Sequence, residues 1–379
     1  MSKQLLLLGG GHAHVHVLHD LAQQPLVGAE VALITPFARQ MYSGMVPGLV
    51  AGHYRAEQCA IALQPLAAAA GVHFIEGAAV SLDAAARRVT LADGRVAEYD
   101  VLSLDTGAVM DRDRVSGARE HGLFVRPIEH FVQQLESLWE LAARRVLDVV
   151  VMGGGAAGVE LALALEFRLA GRGEQRARVA LVTGGTEPLH GYAPGVMRRA
   201  AQALARRRVT VIRDSCAALE PGAVLLASGA RLACDAPLLA TGAEAPAWLA
   251  GSGLTLDERG FVSTIATLQS ASHPAVFAVG DVATRSDRSL AKSGVYAVRA
   301  GPALALNLRR HIAGGVLQAH QPPQRTLNLV SCGEKHAIVS WGGLAAQGRW
   351  AWWWKDRIDR RFVMRYSAVE AKDTPNSRL

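Results

Sequence analysis

Twice in this chain an apolar run breaks into a cluster of glycines and then into a helical pattern, and few folds tolerate that arrangement. Residues 148–152 (DVVVM) lead into Gly153-Gly154-Gly155, and an Ala/Leu-rich stretch follows over 156–169. Gly153, Gly155 and Gly158 thus make a complete G-x-G-x-x-G where a predicted strand hands over to a predicted helix. The first glycine permits a tight turn, the second lets a pyrophosphate approach the backbone, and the third lets the helix pack closely on the strand. Ala156 opens the helix, whose free N–H groups and positive dipole end favour an anion. Residues 4–8 (QLLLL) enter Gly9-Gly10-Gly11 in the same way, with a helix predicted over 12–22. The offset from Gly9 to Gly153 is 144 residues, far too long for a solenoid repeat. The chain therefore reads as two copies of one α/β unit.

The copies differ. Gly9 and Gly11 are present in the first, but His14 takes the third glycine's place, which is expected to loosen the helix–strand contact. The next strand of that copy, 31–35, ends in Thr35 where an acid would contact a ribose. The strand predicted over 179–183 ends Val182-Thr183 and continues Gly184-Gly185. It offers neither an acid for a ribose 2′-hydroxyl nor a clear arginine for a 2′-phosphate. Shorter strands are predicted near 72–76, 89–91 and 101–104.

Composition narrows the class further. At 379 residues, half of them hydrophobic, the chain suits two or three domains with a large core. The net charge of +7 fits attraction to anionic dinucleotides or an anionic membrane surface. It is too diffuse for nucleic acid, and no zinc-finger spacing or RNA-binding aromatic signature accompanies it. Cys59, Cys216, Cys234 and Cys332 lie far apart, which argues against a disulfide scaffold, a zinc ribbon or a paired redox motif and for a reducing cytoplasm. The run Leu5 to Leu8 after Lys3 is too short for a signal peptide, and no stretch has the roughly 20 apolar residues that cross a membrane.

Three further motifs fall into order: Asp105-Thr106-Gly107, Ala240-Thr241-Gly242 and Val276-Phe277-Ala278-Val279-Gly280-Asp281. The succession resembles the two-dinucleotide-binding-domain flavoproteins of the pyridine nucleotide–disulfide oxidoreductase superfamily. The resemblance implies an α/β protein with two Rossmann-like domains, one for FAD and one for NADH or NADPH, and a small C-terminal segment. FAD would occupy a discontinuous domain, 1–112 with 264–324; the nicotinamide dinucleotide would occupy 113–263; and 325–379 would form the last segment. Cofactor contacts are expected at Gly9, Gly11, His12, Ala13, Thr35, Ser43, Pro47, Thr106, Gly107, Gly280 and Asp281, with Asp281 bonding the FAD ribityl or pyrophosphate region. A second set comprises Gly153, Gly155, Ala156, Gly158, Thr241 and Gly242.

Within the superfamily, Gly158-Val159-Glu160-Leu161-Ala162 and the stretch 41–52 (MYSGMVPGLVAG) resemble type II NADH dehydrogenases. The 41–52 stretch, with Gly9-Gly10-Gly11-His12-Ala13-His14, also resembles a subgroup sometimes fused to selenide, water dikinase. No cysteine pair of the disulfide reductases is present. Val295 and Arg299 stand where the type II enzymes carry glutamines near the quinone.

Hydride transfer asks little of side chains, because the cofactor supplies the chemistry. Glu160 is the catalytic candidate, implied near the nicotinamide–flavin junction; the alternative is a helix-surface carboxylate. His12, His14, His16 and His19 lack an acid or cysteine at ligand spacing, so no metal is expected. Cys332 is read as a small buried hydrophobe rather than a sulfur-redox group. Residues 349–366 read as a basic amphipathic helix with Trp350, Trp354, Ile358 and Phe362 as its stripe. It would lie on the inner face of the cell membrane, or pack on the protein or on a second copy in a homodimer. The leading expectation is NADH oxidation with a quinone as acceptor. The alternatives are sulfur- or selenium-linked flavin chemistry and a non-catalytic flavin sensor.

Overall fold

A computed structural model of the chain describes residues 2–170 and 177–367. Residues 368–379 of the expected C-terminal segment lie outside the described residues. The two largest sheets are built alike. The first has five parallel strands in the order Val276–Ala278, Val101–Leu104, Lys3–Leu8, Ala29–Thr35 and His73–Glu76. The second has five parallel strands in the order Leu123–Phe124, Ala236–Leu239, Asp148–Met152, Arg178–Val182 and Thr210–Ile212. In both, the strand that enters a glycine turn is central and is flanked by the strand that precedes a Thr-Gly pair. Parallel sheets covered on both faces need continuous apolar strands; Leu5 to Leu8 and Val149 to Met152 are accordingly all buried. Each unit adds a three-stranded antiparallel sheet, Ala79–Asp83 with Arg88–Leu91 and Val96–Glu98 in the first, Cys216–Glu220 with Ala223–Leu226 and Arg231–Ala233 in the second. The strand Val276–Ala278 returns to the first sheet after the whole second sheet has been laid down.

The helix Ala156–Leu169 is rich in strong helix formers and apolar around much of its circumference, so Val159 and Leu161 to Leu165 are all buried. Its partner in the first copy, His12–Gln23, does not sit loosely despite His14. The imidazole is fully buried, with Nδ1 2.6 Å from the Gly9 carbonyl and Nε2 2.8 Å from Ser103 Oγ. Burial lowers its pKa to about 4, so a neutral ring bridges the turn and the neighbouring strand. The expected loosening is replaced by a polar spacer.

The C-terminal segment is an antiparallel sheet, Leu327–Cys332, Glu334–Trp341 and Leu344–Gly348, followed by the helix Arg349–Ser367. Side chains alternate across a strand, and here both faces are buried. Ala337 and Val339 join the core of the first unit with Ala351, Trp352, Val363 and Tyr366, whereas Val330, Cys332 and Ile338 join the core around Ala156–Leu169. One small sheet thus fastens the two units together. The helix forms where expected, but its buried line is a different one. A spacing of four overshoots a full turn by about 40°, so the expected stripe winds around the helix: Trp350, Trp354 and Ile358 are exposed and Phe362 is half-buried. Steps of three and four select Trp352, Lys355, Asp359, Val363 and Tyr366 for the inner face, with the Lys355 and Asp359 side chains only 11% and 7% exposed.

At Gly158 a β-carbon would be driven into the Gly153 carbonyl oxygen, and no His14-like spacer is available. We expect Gly158→Ala to lower stability in chemical denaturation by about 1–3 kcal/mol through overpacking, despite the better helix propensity of alanine. An unchanged or raised midpoint would contradict this contact.

Candidate dinucleotide cradles and redox junction

The first turn is built around a residue whose role the sequence did not disclose. Gly9 has φ +94°, and a β-carbon there would strike the Asp105 carbonyl and Thr106 Cα. Gly11 N–H donates to the Asp105 carbonyl at 3.1 Å. The Asp105 carboxylate then turns back onto the helix start, where Oδ2 accepts the N–H groups of Ala13 at 2.8 Å and His14 at 2.9 Å. The helix N-terminus therefore carries its own carboxyl acceptor, in the position where a cap satisfies the free amides. Burial pushes Asp105 up to about 7, against the pull of the two amides. Next to it the Thr106 hydroxyl is buried without a hydrogen-bond partner among the described residues, and a β-carbon at Gly107 would meet open space. An orphaned hydroxyl beside a glycine-lined opening fits an incoming polar ligand such as the FAD pyrophosphate or ribityl chain.

Gly280 and Asp281 begin a short 3₁₀ turn, Gly280–Val282, after the returning strand. Asp281 is ion-paired at 2.8 Å to Arg126, which follows the strand Leu123–Phe124 of the second sheet. A β-carbon at Gly280 would crowd Asp105 Oδ1, so the Gly-Asp turn sits directly on the first cradle. His12 opens the first helix with its ring 5.3 Å from that of Tyr42 and 3.4 Å from Ser43 Oγ. Burial lowers His12 to about 4. Thr35 ends its strand buried behind Gly10. Gly9, Gly11, His12, Ala13, Thr35, Ser43, Thr106, Gly107, Gly280 and Asp281 are therefore gathered at one end of the first sheet. Pro47 lies buried in the short helix Val46–Val50, which packs on Ala156–Leu169. The histidines are taken up separately: His14 as above, and His16 with Nδ1 3.0 Å from the Tyr366 hydroxyl.

The second turn repeats the frame with fewer polar parts. A β-carbon at Gly153 would strike the Ala240 carbonyl, as Gly9 does Asp105, and Ala240 precedes Thr241-Gly242 as Asp105 precedes Thr106-Gly107. Alanine replaces the carboxylate here, and no side chain caps the start of Ala156–Leu169. β-Carbons at Gly155 and Gly242 would meet open space, the clearance a pyrophosphate requires.

Glu160 lies one turn into that helix, where its Oε1 accepts the Ser331 N–H at 2.8 Å. Burial raises its pKa, opposed by the Lys355 ammonium. Lys355 in turn donates to the Gly44 carbonyl at 2.6 Å and to Asp359 at 2.7 Å. Burial depresses Lys355, but the carboxylates of Asp359 and Glu160 outweigh it and raise its pKa. Tyr42 is held by the same Asp359. One charged cluster thus joins the Ser43–Met45 turn, the second-cradle helix and the C-terminal helix. A mixed helix of tryptophans and ions gives no local sign that Lys355 and Asp359 turn inward. Arg126 carried no motif at all.

Tandem parallel-sheet dinucleotide folds with a returning Gly-Asp strand define a two-dinucleotide-binding flavoprotein architecture. Residues 3–306 match the pyridine nucleotide-disulphide oxidoreductase family, and the chain belongs to it. That family is FAD-dependent and binds NAD(P)H. An NADH dehydrogenase-like protein of Mycobacterium tuberculosis is 32% identical over 236 residues, 59% of this chain and 58% of that protein; the chain thus spans under two thirds of that relative's length. A demethylphylloquinone reductase of Synechocystis is 26% identical over 301 residues, 76% of this chain and 73% of the relative. In fold, the chain is similar to the sulfide:quinone oxidoreductase of Aquifex aeolicus (TM-score 0.81, 20% identity, 97% and 92% of the two chains). It is similarly close to NDH2 of Plasmodium falciparum (TM-score 0.81, 11% identity, 97% and 98%).

Asp105 gives the first cradle a pH signature. Because its folded pKa is raised, the folded protein holds a proton between roughly pH 4, its ordinary value, and about 7 that the unfolded chain has released. Stability therefore falls as pH rises through that window. We expect Asp105→Asn to flatten the pH dependence of thermal unfolding of the FAD-free protein between about pH 4 and 7. Parallel curves for the two proteins would rule the titration out.

Proposed function

We propose that the chain is an FAD-dependent oxidoreductase that accepts a hydride from NADH or NADPH and delivers the electrons to a small acceptor, a quinone. The doubled cradle carries this reading, because a flavin sensor needs only one and the second is open at Gly155 and Gly242. We assign FAD to residues 1–112 and 264–324, and the nicotinamide dinucleotide to 113–263. In this assignment the Thr106 hydroxyl, the His12 amide and the Arg126–Asp281 pair hold FAD, and Thr241 with Ala156 and its neighbours holds NAD(P)H. Bound FAD supplies the hydride chemistry; the protein's part is to orient the two rings and exclude water. Glu160 is the catalytic candidate, since it is half-buried, linked through Lys355 to the Gly44 carbonyl, and raised in pKa by burial. The overall conversion takes up one proton with each hydride, so a carboxyl near the acceptor has a use.

The names of two relatives support a quinone, the demethylphylloquinone reductase and an alternative NAD(P)H-ubiquinone oxidoreductase of Arabidopsis thaliana. A protein thiol relay is disfavoured, as Cys332 is fully buried and burial pushes its thiol up to about 12. The measurement that tests the reading is anaerobic reduction of the flavin-loaded protein by NADH and NADPH, then reoxidation by a panel of quinones. Gly155→Val should leave FAD absorbance intact and cut flavin reduction by about tenfold or more, since it fills the space a pyrophosphate needs. Reduction at the wild-type rate would sink the assignment.

No described helix is long and apolar enough to cross a membrane. The outer face of Arg349–Ser367 nonetheless exposes Trp350, Trp353, Trp354 and Ile358 beside Arg349, Arg357 and Arg361. Indole rings favour the headgroup layer, and each cation near anionic lipid contributes about 1 kcal/mol. We infer that this face rests on an anionic membrane and brings the flavin to its quinone. Replacing Trp350, Trp353 and Trp354 with serine, which spares the inner face, should abolish cosedimentation with anionic liposomes at low salt without changing NADH-driven flavin reduction. Undiminished cosedimentation would remove the membrane role.

A further inference from the structure

The nicotinamide preference left open by the strand end at Thr183 has a tertiary answer. The Thr183 hydroxyl is already spent, donating to the Thr186 carbonyl at 2.5 Å, and Gly184 and Gly185 follow with φ +73° and +85°. The neighbouring strand Thr210–Ile212 ends beside this turn: Thr183 N–H donates to the Ile212 carbonyl at 3.0 Å and Gly184 N–H to the Asp214 carbonyl at 2.9 Å. That pairing brings Arg213 to the strand end, where it forms a 2.7 Å ion pair with Glu187, the two side chains 62% and 47% exposed. The loop carrying Glu187 then folds back on the glycine turn, with Leu189 N–H donating to the Gly154 carbonyl at 2.8 Å. Asp214, the other nearby acid, is turned away onto the Ser215 and Ser228 amides. In a dinucleotide fold the end of this second strand is where the adenosine ribose lies.

We propose that the Arg213–Glu187 pair reads the adenosine 2′ position of the bound dinucleotide, with Arg213 exchanging Glu187 for the 2′-phosphate of NADPH. An exposed ion pair is weak. A guanidinium meets a doubly charged phosphate through two parallel hydrogen bonds and more charge, so the exchange is downhill. With NADH the pair stays closed, and Glu187 accepts from the ribose 2′-hydroxyl. The pair therefore admits both dinucleotides, with Arg213 supplying the 2′-phosphate contact and Glu187 competing for it.

This inference rests on the second turn being the nicotinamide dinucleotide site. It is tested on the FAD-loaded protein by calorimetric titration with 2′,5′-ADP and with 5′-AMP, alongside flavin reduction by each dinucleotide. Wild type should bind 2′,5′-ADP more tightly than 5′-AMP. Arg213→Gln, an exposed change that leaves the core untouched, should weaken 2′,5′-ADP about tenfold, the effect of one charged hydrogen-bonding partner, and slow reduction by NADPH while sparing 5′-AMP and NADH. Glu187→Gln frees Arg213 and should tighten 2′,5′-ADP. An unchanged ratio of the two nucleotides in Arg213→Gln overturns the proposal and leaves the dinucleotide site standing. Failure of wild type to bind either nucleotide, with no flavin reduction by NADH or NADPH, overturns both.

Discussion

In each half of the molecule a glycine is pressed against the carbonyl of a residue far along the chain: Gly9 against Asp105 and Gly153 against Ala240. No side chain fits at either contact. The closeness of that approach aligns the glycine strand with its Thr-Gly neighbour and aims the following helix at the end of the sheet, while β-carbons at Gly107, Gly155 and Gly242 would meet open space. The Gly-Asp turn extends the same arrangement, because Gly280 in turn sits against the Asp105 carboxylate. The geometry of the first cradle thus depends on a stack of close contacts to Asp105, each of which excludes a β-carbon.

The two copies then diverge in a coordinated way. His14, Ser103 and Asp105 in the first stand where Gly158, Leu238 and Ala240 stand in the second. A helix end that carries its own carboxylate is ordered before any phosphate arrives. One left bare is completed by its ligand. That contrast suits a resident flavin in one cradle and an exchanging dinucleotide in the other.

The C-terminal segment converts two units into one site. Its sheet contributes one face to each core, and its helix places a buried ammonium on the Gly44 carbonyl and a carboxylate under Tyr42. Burying charge is costly unless it is paired and fully hydrogen-bonded. Lys355 meets that condition through Asp359, Gly44 and the nearby charge of Glu160. A single helix therefore carries a charged inner face beside Glu160 and Gly44 and an aromatic outer face toward solvent.

The amino-acid sequence by itself determined the strands, turns and helices of both cradles, the Thr-Gly and Gly-Asp motifs, and the family they belong to. These features are local: apolar runs, glycine spacing and helix-forming stretches act over a few residues, where side-chain chemistry and backbone sterics decide. The tertiary structure alone decided that Asp105 caps the first helix, that Arg126 meets Asp281, that Arg213 arrives at the strand end beyond Thr183, and that Trp352, Lys355 and Asp359 face inward while Trp350 and Trp354 face outward. Each of those pairings joins residues whose separation or helical phase leaves no periodic trace, so only the closing of the sheets against one another selects them.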